Sequence, residues 1–212
     1  MLRIGPDGTR TTLVTSPGQE VGAVSNRGKT IYWATTGQDP AAPAAALWSQ
    51  RKGGQPRQIA DLRAFEEAKN PDQRTTYGFK NLPQSCADQF PADNPASYTG
   101  LVDSHPYASY AARNKVFVAD AGANAILSVR TDKRHAKPKV VATLPAVSTT
   151  VSAEALAAQG LPACAAGYKY RFEFVPTDVE KGGDGKLYVT SLPGGPEDAS
   201  LGRTRCRLQD QP

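Results

Sequence analysis

Residues 101–145, LVDSHPYASYAARNKVFVADAGANAILSVRTDKRHAKPKVVATLP, decide how the chain reads. Four short β-forming runs lie inside this stretch: Tyr107–Ala111, Val116–Ala119, Ala125–Arg130 and Lys139–Thr143. Each is rich in Val, Ile, Phe or Tyr and stops at a turn signal. Arg113-Asn114 separates the first pair and Gly122-Ala123-Asn124 the second, while the basic loop 130–139 (RTDKRHAKPK) separates the third. Four antiparallel strands in about 40–45 residues make a unit the size of a β-propeller blade. Such a unit leaves both of its faces open on its own, so the reading predicts neighbours of the same kind.

Those neighbours are present in sequence. The segment 29–37 (KTIYWATTG) matches 115–122 (KVFVADAG) as a second strand running into a turn, and 186–191 (KLYVTS) matches again. Residues 46–50 (ALWSQ) match 125–129 (AILSV) as a third strand, and 57–62 (RQIADL) match 139–144 (KVVATL) as a fourth. Residues 1–15 read as a third and fourth strand around Pro6-Asp7-Gly8. The spacing is uneven, 85 residues from Ile31 to Val116 and 71 from Val116 to Leu187, so each interval holds an insertion. The expected fold is all-β: an incomplete β-propeller of about three to four four-stranded antiparallel blades, with two short helical insertions. A β-sandwich with similar strands is the alternative. The expected layout is one partial domain over 1–212. It comprises a half blade at 1–17, a blade at 21–62, an insertion at 63–100, a blade at 101–145, an insertion at 146–174, a partial blade at 175–202 and a divergent tail at 203–212. Too few blades to encircle a channel implies an open arc with a tendency to associate through its edges.

Composition agrees with many short strands. The 19 Gly and 17 Pro supply turns, and 212 residues suffice for a sizeable core. The net charge is +5, with basic residues scattered except in the 130–139 loop. No aromatics interleave with that loop, so it reads as a solvated turn and argues against nucleic acid as a partner. No run of 18 apolar residues predicts a membrane span. The first residues already belong to a strand, and Gly5-Pro6 interrupts any apolar leader, so no signal peptide is expected within this chain.

The two insertions share a pattern. After Asp61, suited to an N-cap, Leu62, Phe65 and Ala68 fall on one helical face and Pro71 stops the helix. After Ser152 a second short helix runs to Gly160. Each is followed by Leu-Pro and a cysteine: Leu82-Pro83 before Cys86, and Leu161-Pro162 before Cys164. Equivalent insertions emerging on one face would let Cys86 and Cys164 form a disulfide, the sign of an oxidising compartment; two buried free thiols are the alternative. Cys206 is left odd. With no Cys-x-x-Cys and only His105 and His135, zinc is not expected. Between the insertions and the blades, residues 75–100 read as turns, and 168–174 (YKYRFEF) alternate as a half-buried strand, with Val175 opening the last blade.

The phrases DSHPY (103–107), ADAGANAIL (119–127), PTDV (176–179) and LPGGPED (192–198) resemble the ScyD/ScyE family of bacterial propellers. The resemblance runs to about Gly202. It implies a secreted propeller, extracellular or periplasmic in its full-length form and related in architecture to NHL-repeat and gluconolactonase-like proteins. It implies no established activity. Members of that family extend beyond both ends of this chain, so the chain reads as a fragment or a truncated reading frame.

The candidate chemistry lies on loops entering the innermost strands. Asp103, Ser104 and His105 occupy one such loop, and Thr177 and Asp178 the equivalent one. His105 with Asp103 or Asp178 is suited to acid–base work near neutral pH. A carboxylate cluster there would instead suit calcium or another divalent cation. Asp120, with Asn124 nearby, is a further ligand-binding candidate, or else simply turn chemistry. His105 has its own structural alternative, a hydrogen-bonding residue that ties blades together. Two functions follow: a binding or scaffold module for a small molecule, glycan or protein on one propeller face, or a metal-assisted lactonase- or lyase-like enzyme at the central channel.

Overall fold

In the computed structural model, residues 1–133 and 135–195 are described. The expected tail at 203–212, Cys206 and the end of the partial blade lie outside the described residues. The chain is mostly β, in antiparallel sheets. Strands β1 (Leu2–Ile4) and β2 (Arg10–Thr12) form a hairpin. Strands β3 (Gln19–Arg27), β4 (Thr30–Gly37), β5 (Ala45–Arg51) and β6 (Arg57–Asp61) form a four-stranded meander. Helix α1 (Leu62–Lys69) follows directly, with the Asp61 side chain accepting from the Ala64 N–H as N-cap.

Residues 75–100 are more ordered than their turn-rich sequence suggests. They hold β7 (Thr76–Phe79), the short helix α2 (Gln84–Ala87) and β8 (Ser97–Thr99). The central meander follows as β9 (Pro106–Ala111), β10 (Lys115–Asp120), β11 (Ala125–Arg130) and β12 (Lys139–Thr143). β10 and β11 pair without a break from Lys115–Arg130 to Asp120–Ala125, and Asn124 closes their turn at φ 48°. Asparagine tolerates this left-handed conformation better than most side chains.

Then come β13 (Val147–Thr150), α3 (Ala153–Ala158), a 3-10 turn at Ala163–Ala165, β14 (Lys169–Lys181) and β15 (Leu187–Gly194). The sequence places a boundary at residues 174 and 175, but the backbone crosses it in one 13-residue strand. The first half of β14 pairs with β13 on one side and β7 on the other, and its second half pairs with β15. Pro176, expected near the start of a strand, instead sits inside β14 where the register shifts between Pro176 and Asp178. That irregularity absorbs the N–H that proline lacks.

Strand alternation gives the central meander two apolar faces. On one, Val116, Val118, Leu127 and Val129 pack with Tyr32, Ala34, Leu47 and Ile59 of the first meander and with Leu62 of α1. On the other, Ala119, Ile126, Tyr110 and Phe117 pack with Phe174, Val179, Leu187 and Val189 of β14 and β15. Both faces are therefore buried between neighbouring sheets. The first strands of these units lie side by side, β3 against β9 and β9 against β14. The outer face of the first meander carries Trp33 stacked on Trp48, with ring centroids 6.4 Å apart. Large apolar side chains stay exposed at both ends of the array: Leu2 and Ile4 on β1, and Tyr188 and Leu192 on β15.

The insertions form a third core of Phe79, Cys86, Val151, Ala155, Leu156 and Ala165. Cys86 and Cys164 are bonded, with Cα atoms 5.8 Å apart. The local reason is visible in the backbone. Pro83 and Pro162 both sit at φ −57° in an extended conformation, and each launches a single helical turn that carries the cysteine. The bond closes a loop of 78 residues. Breaking it should cost roughly 4 kcal/mol, or about 8–16 °C in melting temperature for a chain of this size. Thermal melts with and without reductant, and of the Cys86→Ser/Cys164→Ser double variant, check this; coincident melts would contradict it.

Candidate functional site

The segment entering β9 brings three of the predicted candidates together. Asp120, at the end of β10, is fully buried. Its Oδ2 accepts from Ser104 Oγ at 2.8 Å, and its Oδ1 accepts from the His105 N–H at 2.7 Å and the Ala123 N–H at 3.4 Å. In return the His105 carbonyl accepts from the Ala121 N–H at 2.9 Å. Asp120 thus clamps the segment before β9 onto the β10–β11 turn, its bond to the Ala123 N–H being the local one of the three. Burial pushes its pKa up to about 6, against the opposing pull of the Ser104 and His105 hydrogen bonds. Asp103, next in the segment, is exposed at the surface and lies against Gly122, where a Cβ would stand 2.5 Å from the Asp103 carbonyl.

His105 reaches the other way. Its Nε2 lies 3.0 Å from Glu20 Oε2 on β3, and the pair is partly exposed. The ring also meets Tyr107 edge-on, with centroids 6.2 Å apart. A second polar tie lies deeper between the same strands: Ser109 Oγ donates to the Ala23 carbonyl and stands 2.7 Å from Ser25 Oγ. A bulge in β3, with Ala23 at φ 49°, turns that carbonyl toward β9. His105 therefore joins two sheets. Asp178 is exposed on β14 opposite Thr190, while Thr177 Oγ1 lies 2.9 Å from Thr190 Oγ1.

A second polar group lies beneath these residues, and the sequence reading missed it. Helix α1 was expected to bury Leu62, Phe65 and Ala68. Leu62 is buried and Phe65 packs half-buried against the core, but Ala68 is exposed and Glu66 is buried in its place. Glu66 is 1% exposed, and neither of its carboxyl oxygens has a hydrogen-bond partner. Asp72, also 1% exposed, accepts from Tyr77 Oη and Asn124 Nδ2 through Oδ2, both at 2.9 Å, and its Oδ1 has no partner. Asn70 caps α1 at φ 29° and donates from Nδ2 to the Gly100 carbonyl at 2.8 Å. The amide oxygens of Asn70 and Asn124 are buried and unpartnered as well. Each such group costs about 1–3 kcal/mol if nothing satisfies it. The signal was the i, i+4 spacing of Leu62 and Glu66, which puts a carboxyl on the helix face that an apolar reading assigns to the core.

Burial raises Glu66 to about 8, and the nearby charges of Asp120, Asp72 and Asp103 add to it, with Arg63 opposing. Burial and the bond to Asp72 likewise raise Tyr77. Among the described residues, no three His, Cys, Asp or Glu side chains are arranged to hold a metal by themselves. No helix among them is long and apolar enough to cross a membrane.

The raised carboxyls fix the sign of a pH dependence. Between the ordinary and folded pKa values, the folded chain binds more protons than the unfolded one, so stability falls as pH rises. The window runs from 3.8 to about 6 for Asp120 and from 4.5 to about 8 for Glu66. In metal-free buffer the melting temperature should therefore decline through this range, and Glu66→Gln should flatten the part above pH ~6. A wild-type profile that is level or rising over that range would contradict the assignment.

No family model, curated protein or solved structure matches the chain.

Proposed function

We propose that the chain is part of an exported binding module of ScyD/ScyE type, with propeller blades as its scaffold and a small-molecule site on the face that carries the insertions. Three features support the scaffold reading. The meanders repeat, they stack face to face, and their first strands lie side by side. The Cys86–Cys164 bond fits an oxidising compartment.

One observation carries the binding reading: an aromatic pocket of about 190 Å³ between the two bridged insertions. Its walls include Phe79, Phe90, Tyr170, Phe172 and Leu161, with Asn94 as a polar group. Phe79 meets Tyr170 edge-on at 4.9 Å and Phe90 at 5.4 Å, so the walls hold one another in place. An apolar cleft with few polar groups is the usual form of a small-ligand site, and this one is smaller than the drug-sized pockets of about 300–1,000 Å³. Its size and chemistry suit a single ring with one apolar face, such as a phenol or a monosaccharide.

The lactonase- or lyase-like reading needs an acid–base group free to meet substrate. The geometry favours it less, because His105 is engaged with Glu20 and Asp120 is enclosed by three donors. Saturation-transfer NMR against phenols and monosaccharides tests the proposal. At least one ring compound should bind, and Phe90→Ala should weaken it by about tenfold, the worth of one aromatic contact. Failure of every ring compound would contradict the binding reading. Lactone hydrolysis above the buffer rate, abolished by His105→Ala, would replace it with the enzyme reading.

A further inference from the structure

The geometry points to a buried calcium site between helix α1, the turn after it and the β10–β11 turn, with Glu66, Asp72, Asn70 and Asn124 supplying the ligand oxygens. Five oxygens carry the argument: both of the Glu66 carboxyl, Asp72 Oδ1, Asn70 Oδ1 and Asn124 Oδ1, all buried and all without a hydrogen-bond partner. Buried polar atoms are nearly always satisfied, so five orphans in one region call for a common partner. All five are acceptors, and a cation satisfies several acceptors at once.

The surroundings hold these oxygens together. The Asn70 N–H donates to the Glu66 carbonyl at 2.7 Å, which ties the turn to the helix. Asn124 Nδ2 donates to Asp72 Oδ2 at 2.9 Å, which ties the β10–β11 turn to the same carboxyl. The bond from Asn124 Nδ2 to Asp72 and that from Asn70 Nδ2 to Gly100 fix which way each side-chain amide points. The amide nitrogens are used and the oxygens are left over. Gly100 closes one side: a Cβ there would stand 2.0 Å from Asp72 Oδ1, so no side chain fits.

The donor set selects the ion. It has two carboxylates, two amide oxygens and no sulfur or imidazole, which suits a hard cation with flexible, many-oxygen coordination. Only two of the four ligands are acidic, in keeping with the lack of any three-acid metal group among the described residues. The two charges of Glu66 and Asp72 balance one divalent ion. The simplest rival is a proton on Glu66 shared with Asp72. It would satisfy two or three of the oxygens and leave both amide oxygens bare.

Protein stripped with a chelator and titrated with Ca²⁺, Mg²⁺ or Zn²⁺ separately tests the site by calorimetry and thermal melts. Calcium should bind at one ion per chain and raise the melting temperature by about 5–10 °C at a hundredfold excess over Kd. Glu66→Gln should abolish that rise, and its cooperative melt in chelator would show that the variant still folds. Asp72→Asn should weaken calcium at least about tenfold if it folds, and Asp178→Asn should leave the response unchanged. No response to calcium up to about 10 mM, beyond the weakest range of protein sites, would overturn the proposal in favour of the shared proton. An equal or larger response to Mg²⁺ or Zn²⁺ would overturn the choice of calcium. None of these readouts depends on the aromatic pocket, so this site and the binding reading stand or fall separately.

Discussion

The structure depends on burying both faces of one small sheet. The β9–β12 meander is only four strands wide, and its two apolar faces need separate partners. Val116, Val118, Leu127 and Val129 face the first meander, and Ile126 and Phe117 face β14 and β15. Fully burying a side chain of this size is worth about 1.5–3 kcal/mol. The two faces together therefore outweigh any single polar contact in the chain. Without its neighbours on either side, the central meander would present those residues to water. The long strand β14 follows from the same demand: one strand both closes the insertion sheet and covers the far face of the central meander.

Burial sets spacing, while polar contacts set registration. Apolar faces slide at little cost, and the sheets here are pinned where sliding would leave a buried group unsatisfied. Ser109 reaches the Ala23 carbonyl, His105 reaches Glu20, and Asp120 holds the entry to β9 on its own turn. The side chains that looked most chemical in the sequence are therefore largely spent on holding strands together. The groups left over are less conspicuous ones, the buried oxygens around Glu66 and Asp72 and the aromatic walls at the insertions.

The legibility of the sequence followed period and pairing. The four strands of the central meander were readable to within a residue or so, because each is short, carries β-branched or aromatic residues and is bounded by turn signals. The Cys86–Cys164 bond was readable because two Leu-Pro-turn elements repeat, although free thiols remained the alternative. Strands β7 and β8 were missed because Thr76–Phe79 and Ser97–Thr99 are too short to show a period amid Gly, Pro and Asn. The break expected at Val175 failed because Pro176 looks like punctuation, whereas a register shift accommodates it mid-strand. Glu66 and Asp72 escaped notice because burial of a carboxyl is decided by tertiary packing. A local pattern shows only that Glu66 shares a face with Leu62.

Native-state hydrogen exchange tests the central dependence most directly. If the central meander is the shared core, the amides of β10 and β11 should be the slowest to exchange, opening together with β4, β5 and the second half of β14 in the global unfolding step. Strand β12 and the β1–β2 hairpin, each with fewer buried side chains, should exchange faster through local opening. Exchange of β10 and β11 as fast as that of the hairpin, or global protection confined to one meander alone, would contradict the account.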